Sequence, residues 1–388
     1  MAGRSLGERA IATSPDIPLF DLRLEEEDLQ AVREALESGW LTMGPRIQQF
    51  ESAYAEFLGC SHAIALSNCT AALHLAYLAV GVGPGDEVVV PSMSFAATAN
   101  AVLYCGGTPV FADIVGRQDL GIDVTEVAER ITERTKAVCA MHYAGYPAAV
   151  DRLRELCDAR GIALVEDAAH SPSAELDGRK LGTWGSAGCF SFFSNKVLSV
   201  GEGGLLATDD EGVAERVRSL RSHGMTSGTW DRHRGHAETY DIVDLGFNYR
   251  MDEPRAALLL SRMRRVDDDI ERRRRIVRGY RERLKGVERL TIPYSDDDVD
   301  RSSCYVMPTL LDESVDRREF RQGLSARGIQ TSILYPAIHE FSEYRKRYPD
   351  ISLPRTEDAA RTQVTLPLFP HMTDEQLDRV TDAVAELL

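Results

Sequence analysis

One lysine is distinguished by its surroundings. Lys196 lies in the stretch GCFSFFSNKVLSVGEGG, residues 188–204, between an aromatic-rich run and a cluster of glycines. Because Phe190, Phe192 and Phe193 precede it, the stem of its side chain is expected to run along buried apolar surface. Lysines in such surroundings act as nucleophiles or proton carriers. The stretch therefore predicts a chemical role for Lys196, although a snorkelling surface lysine would also fit it.

A second pattern with chemical potential is VEDAAH, in which a predicted strand runs into Glu166, Asp167 and His170. A carboxylate at the carboxyl end of a central strand needs a partner, and a cationic ring nitrogen would be one. Taken alone, Asp167 fits a helix cap, and His170 and His142 fit polar packing. The sequence contains no H-E-x-x-H or other metal-binding spacing, so no metal is expected.

A third pattern places small polar residues where a strand gives way to a helix. The stretch SNCTAALHLA, residues 67–76, carries Ser67, Asn68 and Thr70 at that junction. Hydroxyl groups and the free N–H groups of a helix start make a natural anion site. An ordinary N-cap at Thr70 is the simpler alternative. The glycines of GVGPGDE precede a strand and do not open a helix, so they predict a turn and not a dinucleotide loop.

A lysine, a carboxylate and a phosphate cradle are together what pyridoxal 5′-phosphate (PLP) requires. Lys196 would form a Schiff base with the cofactor's aldehyde and carry protons. An ionised Asp167 would keep the ring nitrogen protonated, so that the ring accepts electrons when a Cα–H bond breaks. Phe95, in PSMSFAATAN, is the candidate to stack on the ring, although a core position also suits it. Each residue alone has a structural explanation, and their joint occurrence favours the cofactor.

The elements that must position these residues can be recognised between residues 62 and 210. Short β-rich runs alternate there with helical stretches, which is typical of a three-layer α/β fold with a doubly wound, mainly parallel sheet. The runs are HAIALS, DEVVVPS, GTPVFADI, TKAVCAMHY, IALVEDAA, AGCFSFF and GGLLATDD. Ligands of such sheets bind outside the carboxyl ends of the strands.

Apolar residues at helical spacing predict the helices that cover this sheet. One face carries Ile47, Phe50, Tyr54 and Phe57, another carries Leu29, Val32 and Leu36, and both are expected to face the core. A long charged helix is predicted over about 255–285 as a connector. Its basic run, Arg272 to Arg275, has acidic neighbours and is expected to be a solvated face.

The chain length predicts two domains, because single hydrophobic cores stop growing at roughly 250–300 residues. We place a large PLP-binding domain at 1–265, with its first residues frayed, and a smaller C-terminal α+β domain at 266–388. The smaller domain closes with a helix that begins at a capping box of Thr373 and Gln376.

Composition limits the classes of function. The 388 residues carry a formal net charge of −16, which disfavours a nucleic-acid groove, since phosphate backbones demand a basic face. No apolar run approaches the ~18 residues of a membrane span, and the start lacks the apolar core of a signal peptide. Seven scattered cysteines without a C-x-x-C pair indicate free thiols. A cytoplasmic enzyme is expected.

These motifs give the chain a resemblance to the DegT/StrS family of PLP-dependent sugar aminotransferases, of the aspartate aminotransferase fold type I. The resemblance covers nearly the whole length. The similar blocks, in family order, are SGWLTMGPRIQQFE, SNCTAALHLAYLAVGVGPGDEVVVPSMSFAATANAV, GTPVFADI, HYAGYPA, VEDAAHSPSA, GCFSFFSNKVLSVGEGGLLATDD, LGFNYRMDEPRAAL, YPAIHE and LPLFPHMTDEQLDRV.

The resemblance implies a role for each of several residues. Lys196 would be the lysine that binds the cofactor and shuttles protons, Asp167 the partner of its ring nitrogen, and His170 a neighbour of its ring hydroxyl. The remaining contacts that it implies are the phosphate ligands Thr70, Ala71 and Ser191, the stacking residue Phe95, and Asn248, which would reach the cofactor of a neighbouring subunit. Ser67 joins the predicted phosphate site. A homodimer with shared active sites is implied.

The resemblance also implies a reaction, in which glutamate or glutamine donates an amino group to a keto-sugar. The GFNYRM version of one motif resembles enzymes that aminate carbon 4, which favours a nucleotide-linked 4-keto-6-deoxyhexose. Cyclitol ketones, 3-keto sugars, a PLP-dependent dehydratase and a cofactor-binding sensor stay open as alternatives. Relatives often have histidine where this chain has Leu334. His339 is one candidate substrate contact. In the long loop at 223–241, the basic residues Arg232, His233 and Arg234 are candidates to contact a nucleotide diphosphate, and a solvated loop stays open as the alternative.

Overall fold

The centre of the molecule is a seven-stranded sheet, seen in a computed structural model that describes residues 15–227, 235 and 239–388. The strands in the described residues are β1 (His62–Leu66), β2 (Glu87–Pro91), β3 (Thr108–Ala112), β4 (Ile114–Gly116), β5 (Asp119–Ile122), β6 (Thr135–Met141), β7 (Ala163–Asp167), β8 (Glu175–Leu176), β9 (Arg179–Lys180), β10 (Ala187–Ser191), β11 (Gly204–Thr208), β12 (Leu290–Thr291), β13 (Met307–Leu311) and β14 (Gln363–Leu366).

The described helices pack around this sheet and form most of the C-terminal part. They are α1 (Glu26–Glu37), α2 (Pro45–Leu58), α3 (Cys69–Ala79), α4 (Ala97–Tyr104), α5 (Val124–Arg130), α6 (Val150–Arg160), α7 (Glu211–Leu220), α8 (Glu253–Met263), α9 (Val266–Arg283), α10 (Asp296–Arg301), α11 (Arg317–Ala326), α12 (Ser342–Arg347), α13 (Pro354–Thr362) and α14 (Asp374–Leu387). Short 3₁₀ turns lie at Tyr143–Gly145 and Ile338–Glu340.

The order of strands in the central sheet is β1-β11-β10-β7-β6-β2-β3. The strands from β10 to β3 run parallel, and β11 runs antiparallel to both of its neighbours. All seven predicted strands are present, so the prediction of a doubly wound, mainly parallel sheet is confirmed. Its parallel strands bring their carboxyl ends to one edge, where Met141, Asp167 and Ser191 lie.

The alternating direction of its side chains, with helices on both faces of the sheet, explains why the β2 sequence EVVVP is apolar on both sides. Val88 and Val90 belong to the core that contains Leu73 of α3, whereas Val89 belongs to the core that contains Leu153 of α6. Successive side chains of a strand point to opposite faces, and both faces of this sheet are covered by helices. The run of three valines is therefore buried on both sides.

The predicted core face of α1 is wrong. Leu29 and Leu36 are 46% and 53% exposed, whereas Asp28 and Ala35 are fully buried. Asp28 belongs to the capping box at the start of α1, and its carboxylate also pairs with Arg265. The pairing of Asp28 with Arg265 holds the face of α1 that carries Asp28 and Ala35 against the rest of the protein, and Leu29 and Leu36 lie on the exposed side.

The predicted connector helix over 255–285 is two helices. α8 ends at Met263 and α9 begins at Val266, because Arg265 leaves helical geometry with φ −126° and ψ 11°. The predicted domain boundary at 265/266 falls at this break. One continuous core holds both Phe192 of the first part and Val364 of the second, and the division into two domains stays a prediction.

The C-terminal part is built on the antiparallel sheet β12-β13-β14. The capping box predicted at Thr373 and Gln376 opens α14 as expected, since each side chain accepts a hydrogen bond from the other residue's backbone N–H.

None of the helices in the described ranges combines the length and the apolarity that a membrane crossing requires.

Candidate active site

A cavity of about 640 Å³ lies at the carboxyl edge of the parallel strands. Met141 of β6, Asp167 of β7 and Ser191 of β10 contribute to its walls, and the first turn of α3 closes one side. The complete lining is Asn68, Cys69, Thr70, Ala71, Leu73, Phe95, Ala97, Tyr104, Met141, Asp167, Ala169, His170, Ser191, Phe193, Asn195, Lys196, Glu202, Tyr249, Tyr305, Leu334 and Tyr335. Most of the residues singled out in the sequence therefore meet in one place.

Asp167 is the buried carboxylate of this cavity. Its Oδ2 accepts a hydrogen bond from Thr98 Oγ1 at 2.7 Å, and its Oδ1 accepts one from the Ala169 N–H at 3.2 Å. Burial raises the pKa of the carboxyl group, and the hydrogen bonds and the Lys196 amine oppose that rise. A cationic N–H placed against Asp167 would hold it ionised.

Lys196 lies on the loop that follows β10. Its Nζ stands 4.3 Å from the centre of the Tyr305 ring. Burial lowers the pKa of the amine to about 8, although the Asp167 carboxylate acts in the opposite direction. A protonated amine gains from the face of the ring, while the neutral amine is accessible near neutral pH. The group can therefore accept and donate a proton.

His170 is held as a neutral ring in the cavity wall. Its Nδ1 accepts from the Ala144 N–H at 3.2 Å, so Nε2 carries the proton and donates to the Tyr335 hydroxyl at 2.9 Å. Burial, with the nearby Lys196 amine, lowers the pKa of His170 well below its ordinary value. The ring thus fixes the Tyr335 hydroxyl at the cavity surface.

The start of α3 forms the polar end of the cavity. Asn68 is the N-cap, and its side chain accepts from the Ala71 N–H at 2.8 Å. Gly204 lies against this turn, where a Cβ atom would come within 2.3 Å of the Asn68 carbonyl carbon. The hydroxyls of Thr70 and Ser191 face the same cavity. Hydroxyls beside a helix N-terminus fit a phosphate group.

The other predicted residues are placed as follows. Phe95 lines the cavity and is 59% exposed, so its ring is accessible to a planar ligand. Ser67 lies next to the lining, where its N–H donates to the Tyr249 carbonyl. Asn248 is exposed on the outside of the molecule and does not line the cavity. A role in a neighbouring subunit's site would suit that position.

His339 lies outside the cavity. It is buried, its Nδ1 is 2.7 Å from Ser92 Oγ, and its Nε2 is 3.2 Å from Glu357 Oε1. Both ring nitrogens are thus used in packing, so the geometry does not support the predicted substrate contact. Arg232, His233 and Arg234 lie outside the described residues.

Sequence reasoning missed Thr98, Tyr305 and Tyr335. Thr98 donates to Asp167 and its Oγ1 is also 2.8 Å from Ser94 Oγ. Ser94 and Thr98 are four residues apart where α4 begins, a spacing that could have signalled their contact. Tyr335 lies in the block YPAIHE, but Tyr305 follows no recognisable pattern in its own part of the chain.

Glu166 braces the strand end that carries Asp167. Its carboxylate accepts from the N–H groups of Gly182, Trp184 and Gly185, and His142 Nε2 donates to it at 3.0 Å. The His142 tautomer follows from the Ala148 N–H, which donates to Nδ1. Glu166 and His142 are fully buried, and this network fixes β7 against the loop at 182–185.

Residues 22–385 match the model of the DegT/DnrJ/EryC1/StrS aminotransferase family. The chain belongs to this family. A curated relative is the spore coat polysaccharide biosynthesis protein SpsC of Bacillus subtilis (strain 168), which is 37% identical over 370 residues and is covered to 95%, against 94% of this chain. The family and the cavity agree on the class of enzyme: the chain is an aminotransferase.

Two solved structures are similar in fold over nearly the whole chain. The putative sugar aminotransferase Spr1654 of Streptococcus pneumoniae, in its PMP form, is 25% identical with a TM-score of 0.88, and covers 96% of this chain and 97% of its own. DesI, analysed in the presence of its TDP-sugar product, is 32% identical with a TM-score of 0.86, and covers 96% and 92%. A PLP form of Spr1654 is also similar.

The cofactor of this aminotransferase is pyridoxal 5′-phosphate, and the residues of the cavity fit it. An amine with a lowered pKa, a buried carboxylate and a hydroxyl-lined helix start share one space of sufficient size. These are the groups that an aldehyde, a pyridine nitrogen and a phosphate require. This cavity is therefore the candidate cofactor site.

Proposed function

We propose that this enzyme transfers an amino group from glutamate or glutamine to a nucleotide-linked 4-keto-6-deoxyhexose. The observation that carries the proposal is the placement of the Lys196 amine and the Asp167 carboxylate in one cavity, together with the polar start of α3. The TDP-sugar product of DesI supports a nucleotide-linked substrate. Phe95, Tyr104 and Leu334 give the cavity an apolar wall that suits a deoxy-sugar methyl group.

PLP supplies a ring that accepts electrons while the amino group is exchanged. Lys196 would be its covalent attachment point, and Asp167 would face its ring nitrogen. The Thr70 and Ser191 hydroxyls and the Ala71 end of α3 would hold its phosphate, with Ser67 behind them. These assignments use the residues at the positions where the family resemblance predicts them, and they stay proposals.

Proton movement falls to Lys196. Its Nζ would take a proton from the donor's α-carbon and deliver one to the carbon that receives the amine. With a pKa of about 8, the amine changes protonation state at little cost near neutral pH. The Tyr305 ring stabilises the protonated form. His170 keeps the Tyr335 hydroxyl in place, and Phe95 covers the cavity from outside.

We also propose a homodimer in which Asn248 reaches the partner's cofactor. The segment that leads to it exposes Ile242, Val243 and Leu245, the last at 87%. Monomers rarely expose apolar residues in such a run, and a second copy of the chain would cover it. We also propose that the enzyme is cytoplasmic, as the sequence predicts.

The test is a two-part assay on protein reconstituted with PLP. Addition of glutamate or glutamine is expected to convert the absorbance of the loaded cofactor to that of its amine form, and a 4-keto-6-deoxy nucleotide sugar is expected to reverse the change and yield an amino sugar by mass spectrometry. Lys196→Ala is expected to abolish both changes. Lys180→Ala, a lysine paired with Glu175 away from the cavity, is the control.

Failure of every common amino acid to change the absorbance would refute the transaminase assignment for Lys196. Turnover of nucleotide-free ketones in preference to the nucleotide sugar would replace the proposed substrate with a cyclitol.

The attachment point of the cofactor can be tested directly. Borohydride reduction followed by peptide mass spectrometry is expected to find the cofactor on Lys196.

A further inference from the structure

A second cavity, of about 460 Å³, borders the loop that carries Lys196. Asn195 and Lys196 line both cavities. The N-terminal segment at 20–25, the break between α8 and α9, and the pair Pro370 and His371 form its other walls. We call it the arginine cavity, because Arg23, Arg262, Arg265, Arg272 and Arg273 line it.

The charge of the arginine cavity opposes that of the whole chain. Its five arginines and Lys196 face the carboxylates of Asp21, Glu25 and Asp269, and Arg265 also pairs with the buried Asp28. The balance is positive in a protein whose formal net charge is −16. A local excess of positive charge beside the reactive lysine attracts anions in spite of the acidic surface elsewhere. The predicted solvated face at Arg272 to Arg275 is confirmed for Arg272 and Arg275, which are exposed, and is wrong for Arg273, which the packing of this helix buries.

Two of these arginines are buried without a carboxylate partner in the described part of the chain. Arg273 is 5% exposed, its Nη1 donates to the carbonyls of Tyr305 and Leu368, and its Nε has no hydrogen-bond partner. Burial lowers its pKa to about 10. Arg262 donates to Ser199. Nearby carboxylates, Asp269 among them, attract both guanidinium groups without a direct salt bridge. A buried guanidinium that lacks such direct pairing is costly, so a bound anion would stabilise this arrangement.

Two other arginines of the cavity, Arg272 and Arg23, are held loosely enough to rearrange. Arg272 Nη1 is 3.8 Å from Asp269 Oδ1, and Arg23 Nε is 3.6 Å from Asp21 Oδ2. Both arginine side chains are more than half exposed. Exposed pairs at these distances contribute little stability. Their guanidinium groups can therefore turn to a ligand at small cost.

We infer that the arginine cavity binds the diphosphate of the nucleotide-linked sugar, which rests on the proposed function. Guanidinium groups bind phosphate oxygens in pairs of parallel hydrogen bonds. A sugar whose ketone must reach Lys196 carries its diphosphate one ring away, and this cavity shares Lys196 with the cofactor cavity. The carboxylates of the amino donor have similar anion chemistry, and the experiment separates the two.

The experiment compares Arg272→Ala and Arg23→Ala with Arg275→Ala in the reconstituted enzyme. Arg275 is exposed on the same helix and does not line the arginine cavity. The KM of the keto-sugar nucleotide and the Kd of the nucleoside diphosphate, by calorimetry, are expected to rise about tenfold for the two cavity variants, the loss of one charge-assisted hydrogen bond. The KM of glutamate and the values for Arg275→Ala are expected to stay within about twofold of the wild type.

Each outcome bears on the inference. Unchanged sugar and diphosphate values in both Arg272→Ala and Arg23→Ala would overturn it, and a rise in the glutamate KM alone would assign the cavity to the donor and overturn it as well. If the wild type turns over no nucleotide sugar, the proposed function fails. The diphosphate Kd then still tests the cavity, because weaker binding in the cavity variants supports the anion site on its own.

Discussion

At the residue scale, the active site depends on opposing effects of burial. Burial lowers the pKa of Lys196 and raises that of Asp167, so each group is moved toward its neutral form. The same low-dielectric surroundings strengthen the attraction of both to a charged ligand. The site is therefore arranged so that the cofactor, and not water, satisfies its charges.

The first prediction concerns the pH dependence of cofactor loading. Only the neutral amine of Lys196 attacks the aldehyde, and burial depresses the pKa of this amine to about 8. The loading rate of the apo-protein is expected to rise about tenfold per pH unit below pH 8 and to level off above it. Stopped-flow absorbance measures the rate, with Lys196→Ala as the control. A rate that keeps rising to pH 10 would show an amine with an ordinary pKa.

The second prediction concerns Thr98, a positioning residue. An ionised Asp167 cannot donate, so the Thr98 hydroxyl donates to it and Ser94 in turn donates to Thr98. Thr98→Val removes the donor at nearly constant volume and is expected to raise the Kd of PLP about tenfold. The second readout is the pH titration of the bound cofactor's absorbance, which is expected to differ between Thr98→Val and the wild type.

Thr98→Ser retains the hydroxyl group and serves as the matched variant. It is expected to restore the wild-type Kd and titration. Equal PLP affinity and equal titration in Thr98→Val and the wild type would remove Thr98 from the site's machinery.

At the element scale, the start of α3 is both a capped helix N-terminus and part of the cofactor cavity. Asn68 caps α3 through the Ala71 N–H, and the same turn faces the cofactor cavity. Asp210 caps α7 in the same manner through the Val213 N–H, but α7 does not line that cavity. A comparison of variants at the two caps therefore distinguishes an effect on helix stability from an effect on ligand binding.

The third prediction uses this pair. Asn68→Ala and Asp210→Ala are each expected to lower the free energy of unfolding by about 1 kcal/mol, because each leaves a helix N–H without its acceptor. Only Asn68→Ala is expected to weaken PLP binding as well. Urea denaturation of the apo-proteins and dialysis against PLP measure the two effects. Equal PLP affinities in the two variants would contradict a phosphate site at α3.

At the scale of the whole molecule, the exposed segment before Asn248 would link the active site to the proposed dimer. Ile242, Val243 and Leu245 stand out from the surface beside the backbone bridge between Ser222 and Asn248. The cofactor contact proposed for Asn248 requires a second copy of the chain, since this residue does not line its own cavity. Dimer formation and activity are therefore expected to fail together.

The fourth prediction tests that coupling. Leu245→Asp places a charge in the proposed interface and is expected to convert the dimer to a monomer and to lower PLP affinity. Sedimentation velocity and PLP titration measure the two properties. Val115→Asp, at an exposed position on the distant β4 hairpin, is the control. A monomeric variant that retains full PLP affinity would contradict the shared site.

The sequence by itself determined the strands and the residues with chemical potential. Continuous apolar runs such as EVVVP and the polar residues at strand ends are local properties, so Lys196, Asp167 and Thr70 could be identified from short segments. The face of α1 could not be identified in this way. Its orientation depends on the pairing of Asp28 with Arg265, two residues far apart in the chain.

Tertiary structure alone decided which polar groups belong to the site. His339 was a candidate substrate contact, but the fold places it between Ser92 and Glu357. Tyr305 had no signal, yet its ring lies under the Lys196 amine. The arginine cavity likewise unites the N-terminal segment with α9. Burial and charge pairing are set by contacts between distant segments, and a local pattern carries no information about those contacts.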